Sequence, residues 1–286
     1  MWCAIAKFVI GCPQMECPVP EEREVRLKDC NAGAELPPKV VGRIMPFQPF
    51  LDLPDTHPAL AHSPMVRGLA KTFAYLEENG PIGLTPSGNL KRVFVTWAAE
   101  AFDWPGHRPD DLYAVNKVLN EWDFFPLAEL HDIMLALRIG RHFKGTFRLT
   151  PFGKTLIGQP GRLFGLLAPF YLFRVDHNRH ARLKEERLFG NWDIFLNVIN
   201  VEAEGGFSDD RLRAVLYGPP DAGPRYDPIA GQLYVEVLRP LCWLGLLQGV
   251  GEERMASRDN VYAKTPLWHA ALRLDTDASL HPIVKH

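Results

Sequence analysis

The residues in this chain best placed to do chemistry are cations. Residues 138–187 carry eleven Lys or Arg against three acids, in a chain whose net charge is −2. Clustered Lys and Arg suit phosphate, because they neutralise its charge and release condensed counterions. Six of them form the candidate nucleic-acid-binding set: Arg141, Lys144, Arg148, Arg174, Arg179 and Arg182. The competing reading is a solvated charged face or a protein contact.

Other constellations are weaker. His177 and His180 have the i, i+3 spacing that lets two imidazoles share a metal on a helix, with Asp176 adjacent. Arg174, Arg179 and Arg182 surround them and disfavour a bound cation, so the pair is assigned to the basic helix and no metal is expected. His131-Asp132 resembles an acid–base pair, but neighbours on a helix do not face each other. It reads as helix surface. Phosphate loops and nucleophile elbows are missing, and the glycines of residues 245–251 have the wrong spacing for either. No catalytic residue and no cofactor are therefore assigned.

Cys3, Cys12, Cys17 and Cys30 fall early in the chain, and Cys242 sits in an apolar stretch. None forms a C-x-x-C pair, so zinc is disfavoured and reduced cytoplasmic thiols are expected. Cys242 reads as a core thiol. Trp97, Trp104, Trp122, Trp192, Trp243 and Trp268 read as packing residues. The longest apolar run, residues 163–173, contains Pro169 and falls short of the roughly 20 residues that a membrane helix needs. Residues 1–12 are apolar but lack a small-residue cleavage site, so they are not read as a signal peptide.

These residues must be held by helices. Ten of the 25 prolines lie in residues 1–64, where no period is sustained, so an irregular arm is expected. Val66, Leu69, Ala70, Phe73 and Leu76 then follow helical spacing, and Asn79-Gly80 stops the helix. Thr85-Pro86 reads as an N-cap and first-turn proline. The helix after it carries Leu90, Val93, Phe94, Trp97 and Ala101. Asp110 caps another with Leu112, Val115, Leu119 and Trp122 inward. From Pro126, the stripe Leu130, Ile133, Met134 and Leu137 makes a further helix, with Glu129 and Asp132 outward.

At residues 141–149 the period changes from 3.6 to two. Phe147 and Leu149 face one way, Thr146 and Arg148 the other. Lys144-Gly145 is the hairpin turn. Thr150-Pro151 then starts the next helix. Helix, helix, basic hairpin, helix is the winged-helix order, with the hairpin as wing and residues 126–137 as recognition helix. Glu129 and Asp132 would repel phosphate there, and nothing before Arg138 reads base edges. The Thr-Pro grammar returns at Thr265-Pro266, and Ser208 caps a helix with Leu212, Val215 and Leu216.

The stretch 80–167 resembles the C-terminal region of the plasmid pRiA4b ORF-3-like family. The matching pieces are Leu84-Thr85-Pro86-Ser87-Gly88-Asn89-Leu90, residues 116–126, and residues 135–156 with their Gly-x-hydrophobic-x-Leu-Thr-x-x-Gly wing. The resemblance implies a bacterial protein often met near mobile elements, and no biochemical activity. The β-rich N-terminal domain of many members has no counterpart in residues 1–64.

The expected fold is mainly α, with tandem winged-helix-like units and short β-hairpin wings. The expected divisions are an arm at 1–64, a helical domain with two units at 65–205, a third unit at 206–275 and a tail at 276–286. The expected function is non-enzymatic binding or scaffolding through those units, with a protein partner or self-association. The alternatives are DNA binding linked to a mobile element, and an enzyme whose site is assembled from scattered residues.

Overall fold

The computed structural model describes residues 47–179, 188–219, 227–250 and 260–280. Arg182, His180, the four early cysteines and the tail after residue 280 lie outside them. The described chain is mainly helical with two small antiparallel sheets. Among the described residues, no helix is long and apolar enough to cross a membrane.

The first repeat opens with α1 (Pro64–Glu78), where Ser63 Oγ accepts the Val66 N–H and Pro64 has no N–H that needs an acceptor. Asn79 ends it, and β1 (Ile82–Gly83) follows. Next come α2 (Arg92–Ala101), α3 (Pro109–Val115) and α4 (Phe125–Ala136). The hairpin of β2 (Gly140–Phe143) and β3 (Thr146–Leu149) completes a sheet of order β1-β3-β2. A short α5 (Pro151–Lys154) and α6 (Pro160–Arg174) lead away.

The second repeat has the same order. It runs α7 (Trp192–Glu202), β4 (Phe207–Ser208), α8 (Asp209–Tyr217), then α9 (Pro228–Leu233). A π-helical turn at Tyr234–Leu238 joins α9 to α10 (Arg239–Leu244). β5 (Leu247–Val250) and β6 (Val261–Lys264) pair, and the sheet order is β4-β6-β5. α11 (Pro266–Ala271) and α12 (Asp277–Leu280) close the described chain. Register matches as well: Ile82 faces Phe147 in one sheet and Phe207 faces Tyr262 in the other.

Two of the Thr-Pro pairs have a common physical reason. Thr150 Oγ1 donates to the Arg138 carbonyl at 2.6 Å and accepts the Gly153 N–H at 2.9 Å. Thr265 Oγ1 donates to the Gly245 carbonyl, also at 2.6 Å, and accepts the Leu267 N–H at 3.1 Å. Arg138 and Gly245 are the left-handed residues that follow α4 and α10, with φ of 56° and 79°. Each threonine therefore caps the incoming helix and satisfies a carbonyl at the exit of the preceding one.

Thr85-Pro86 behaves differently and corrects the expectation of a third cap. The Thr85 N–H bonds to the Asn89 carbonyl at 2.8 Å, and Leu84 bridges Leu90. This closes a tight loop, so α2 begins only at Arg92. Trp122 is a second correction. α3 stops at Val115 because Asn116 is extended, and Trp122 lies in a 3-10 turn (Glu121–Asp123) with 47% exposure. Apolar spacing across residues 112–122 came from two separate segments.

The last part of the Pro-rich stretch is packed rather than loose. Leu51 N–H bonds to the Ala271 carbonyl and Arg273 N–H to the Pro49 carbonyl, both at 2.8 Å. Phe47 and Phe50 pack on Phe173, Phe50 also on Phe164, and Asp55 Oδ1 accepts the Gly161 N–H at the start of α6. Between the repeats, α4 meets α10. Phe125 and Trp243 have centroids 5.8 Å apart, and the Arg239 guanidinium lies over both rings. Trp104, Trp243 and Trp268 are buried, whereas Trp97, Trp192 and the Cys242 side chain are half-buried against the core.

Candidate functional site

The hairpin turn puts both Lys144 (φ 48°) and Gly145 (φ 70°) in the left-handed region, as a two-residue loop between twisted strands requires. β2 lies at the sheet edge, and its Arg141, His142 and Phe143 are all exposed. On the outer face Arg141 stands directly opposite Arg148. Both guanidiniums and the Lys144 ammonium lie 5.4 Å from the Phe143 ring centroid. The ring's negative face offsets part of their mutual repulsion. Phe143 is 41% exposed. Among the described residues none of the three cations has a carboxylate partner. The outer face of the hairpin is thus one aromatic ring held among three unneutralised charges.

His142 faces the other way and joins a chain of buried polar groups. Glu121 is 3% exposed. Its Oε2 accepts the Leu90 N–H, and its Oε1 accepts from His131 Nδ1, both at 2.6 Å. His131 Nε2 and His142 Nε2 lie 2.9 Å apart, so one ring donates and the other accepts. Burial, and then the neighbouring His131, push the His142 ring below the ordinary imidazole range. Its Nδ1 lies beside Gly88 of the 85–89 loop. The chain Glu121–His131–His142 ties that loop, α4 and the wing strand together. Glu121→Gln removes one acceptor of a buried, charge-assisted pair. It is expected to cost about 1–2 kcal/mol in urea unfolding; a loss indistinguishable from zero would show that the chain is not fastening the wing.

The recognition-helix expectation needs correcting. Glu129 is buried at 1% exposure instead of outward. It pairs with Arg179, which also reaches Asp132 at 3.4 Å. Burial raises the Glu129 pKa and the Arg179 guanidinium opposes the rise. His131, expected on the helix surface, is buried as well. Eight of the twelve α4 residues are buried, Pro126 to His131 without a break.

Of the six nominated cations, Arg141, Lys144 and Arg148 come together. Arg179 is engaged with Glu129 and Asp132, Arg174 is exposed at the end of α6, and Arg182 lies outside the described residues. Of the His177–His180 pair, His180 also lies outside them. His177 itself is buried. Among the described residues no group of three or more His, Cys, Asp or Glu side chains could hold a metal. Glu121 and His142 were missed by sequence reasoning, and no periodicity links residues 121, 131 and 142. Phe143 was missed as well, although it is one of two phenylalanines inside the basic hairpin, with Phe147.

Comparison with known proteins places this arrangement. Residues 61–162 match the Y4jL N-terminal domain and residues 181–266 match the y4jL C-terminal domain. The uncharacterized protein y4jL of Sinorhizobium fredii is 44% identical over 157 residues, 55% of this chain and 71% of that relative. The chain belongs to the Y4jL family. The two Y4jL domains follow the two structural repeats, and the N-terminal one contains the whole basic hairpin and the Glu121–His131–His142 chain. These matches do not confirm the pRiA4b ORF-3-like name over residues 80–167. No solved structure matches the chain significantly.

Proposed function

We propose that this Y4jL-family chain is a non-enzymatic binding protein made of two winged-helix-like repeats, and that it contacts nucleic-acid phosphates through the wing of the first. Helix, strand, three helices, hairpin, with the lone strand paired to the second hairpin strand, supports the winged-helix reading of both repeats. The observation that carries the binding reading is the wing itself: Arg141, Lys144 and Arg148 around an exposed Phe143.

Burial of most of α4 argues that base edges are not read by the usual helix. The contact is then backbone-directed and tolerant of sequence. Phe143 adds a surface on which an unpaired base can stack. Fluorescence anisotropy with a labelled duplex and a labelled single strand tests this. Three phosphate contacts predict a slope of about −2.7 in log affinity against log salt on duplex. Reversing all three charges (R141E, K144E, R148E) is expected to weaken binding more than ~10-fold. If affinity is absent at low salt, or unchanged in the triple variant, the reading fails and the wing becomes a protein contact.

A further inference from the structure

A cavity of about 280 Å³ opens between the two repeats, away from the wing. Trp104, His107, Trp243 and Tyr262 supply aromatic walls, and Arg67 and Arg239 line it too. Among the described residues no Asp or Glu contributes to the lining. We propose that this cavity binds a small planar aromatic carboxylate.

Three features point to that chemistry. The first is size and shape: the volume suits a single ring, near the lower end of pockets that take small organic ligands. Trp104 and Trp243 meet edge to face at 5.5 Å, and His107 meets Trp243 the same way at 6.2 Å. Such rings form flat walls for another ring. The second is charge. Arg67 donates only to main-chain oxygens, Ala61 at 2.7 Å and Asp103 at 3.4 Å. Arg239 donates to the His177 carbonyl at 3.2 Å and stacks on Phe125 and Trp243. Two guanidiniums beside a cavity whose described lining holds no carboxylate make a positive field that an anion satisfies.

The third is unmet donor capacity. Trp104 Nε1 and Arg239 Nε are buried and lack hydrogen-bond partners. Buried donors are normally paired, so two on residues that line one cavity need an acceptor. Burial lowers the His107 pKa, and its Nδ1 lies 3.3 Å from the Pro105 carbonyl. Burial thus disfavours the charged form of His107, and selectivity for an anion rests on the arginines. The site uses no wing residue, so it stands or falls separately from the nucleic-acid reading.

Isothermal titration and tryptophan fluorescence on the full chain test it, with phenylacetate as probe. Acetate (charge without ring) and 2-phenylethanol (ring without charge) are the controls. Phenylacetate is expected to bind one-to-one with Kd between ~10 µM and ~1 mM. Each control is expected to bind at least ~10-fold more weakly. Trp104→Phe keeps the ring and removes the donor, and should weaken phenylacetate about five-fold. Arg67→Gln should weaken it similarly, and it carries the test if the tryptophan variant does not fold. Absence of saturation below ~10 mM would overturn the proposal. So would equal affinity for 2-phenylethanol, or binding unchanged in both variants.

Discussion

Gly245→Ala is expected to destabilise the protein by about 3–4 kcal/mol in urea unfolding followed by circular dichroism. Gly245 follows α10 with φ of 79°, where a Cβ costs about 1 kcal/mol for most residues. The larger part comes from space. A Cβ built there would stand 2.1 Å from the His62 carbonyl oxygen, 2.5 Å from its carbon and 2.6 Å from Ser63 Cα. All three are backbone atoms immediately before α1, so no side chain can swing aside. Moving them would disturb the Ser63 cap and the seat of α1 on α10. Arg138 provides the internal control, since it holds the same place in the first repeat with φ of 56° and carries a full side chain. Arg138→Gly is therefore expected to change stability by less than about 1 kcal/mol. If Gly245→Ala also costs under about 1 kcal/mol, the close packing of the second repeat against residues 62–63 is not what fixes that glycine.

That asymmetry illustrates what the sequence made legible. Local chemistry was readable wherever one segment decided the outcome. Ser208, Thr150 and Thr265 cap helices as their side chains dictate, and Lys144-Gly145 forms the tight turn its left-handed preference favours. The same reasoning failed where a distant partner decided. Thr85 has a helix-capping neighbourhood, yet the bridge between Leu84 and Leu90 turns it into a loop. Glu129 looks like surface until Arg179, fifty residues on, pairs with it inside. His131 looks like helix surface until Glu121 and His142 close around it. Buried polar residues defeat pattern reading because their partners, and not their period, permit burial. For the site, the basic hairpin was legible because its charges share one strand pair. The burial of α4 was not, because Arg179 and Trp243, which meet its Glu129 and Phe125, lie fifty or more residues away.

His177→Phe is expected to flatten the acid side of the stability curve. Burial, then the Arg239 and Arg179 cations, push the His177 imidazole down to about 3. Asp176 acts in the other direction. The ring packs edge to face on Tyr171 at 4.7 Å, and Trp192 at the start of α7 lies 6.3 Å away. Below an unfolded pKa near 6.5 the unfolded chain takes up a proton that the native chain refuses. Native stability therefore falls as pH drops from 6.5 toward 3, by about 1.4 kcal/mol per pH unit. Asp209 has the opposite sign: burial raises its pKa to about 6, so its protonated form stabilises the fold at low pH and that contribution fades as pH rises. Glu129, also raised by burial, acts in the same sense as Asp209. Comparing wild type with His177→Phe at each pH cancels both carboxylates. Phenylalanine keeps the ring contacts and cannot take up the proton. The stability of the variant minus that of wild type should therefore grow from pH 7 to pH 4 by roughly 3 kcal/mol. A difference that stays flat across that range would mean that His177 is not held neutral between Tyr171, Arg179 and Arg239. A rising difference would locate the acid-labile point of the fold at the joint where α6, α7 and the π turn before α10 bring the two repeats together.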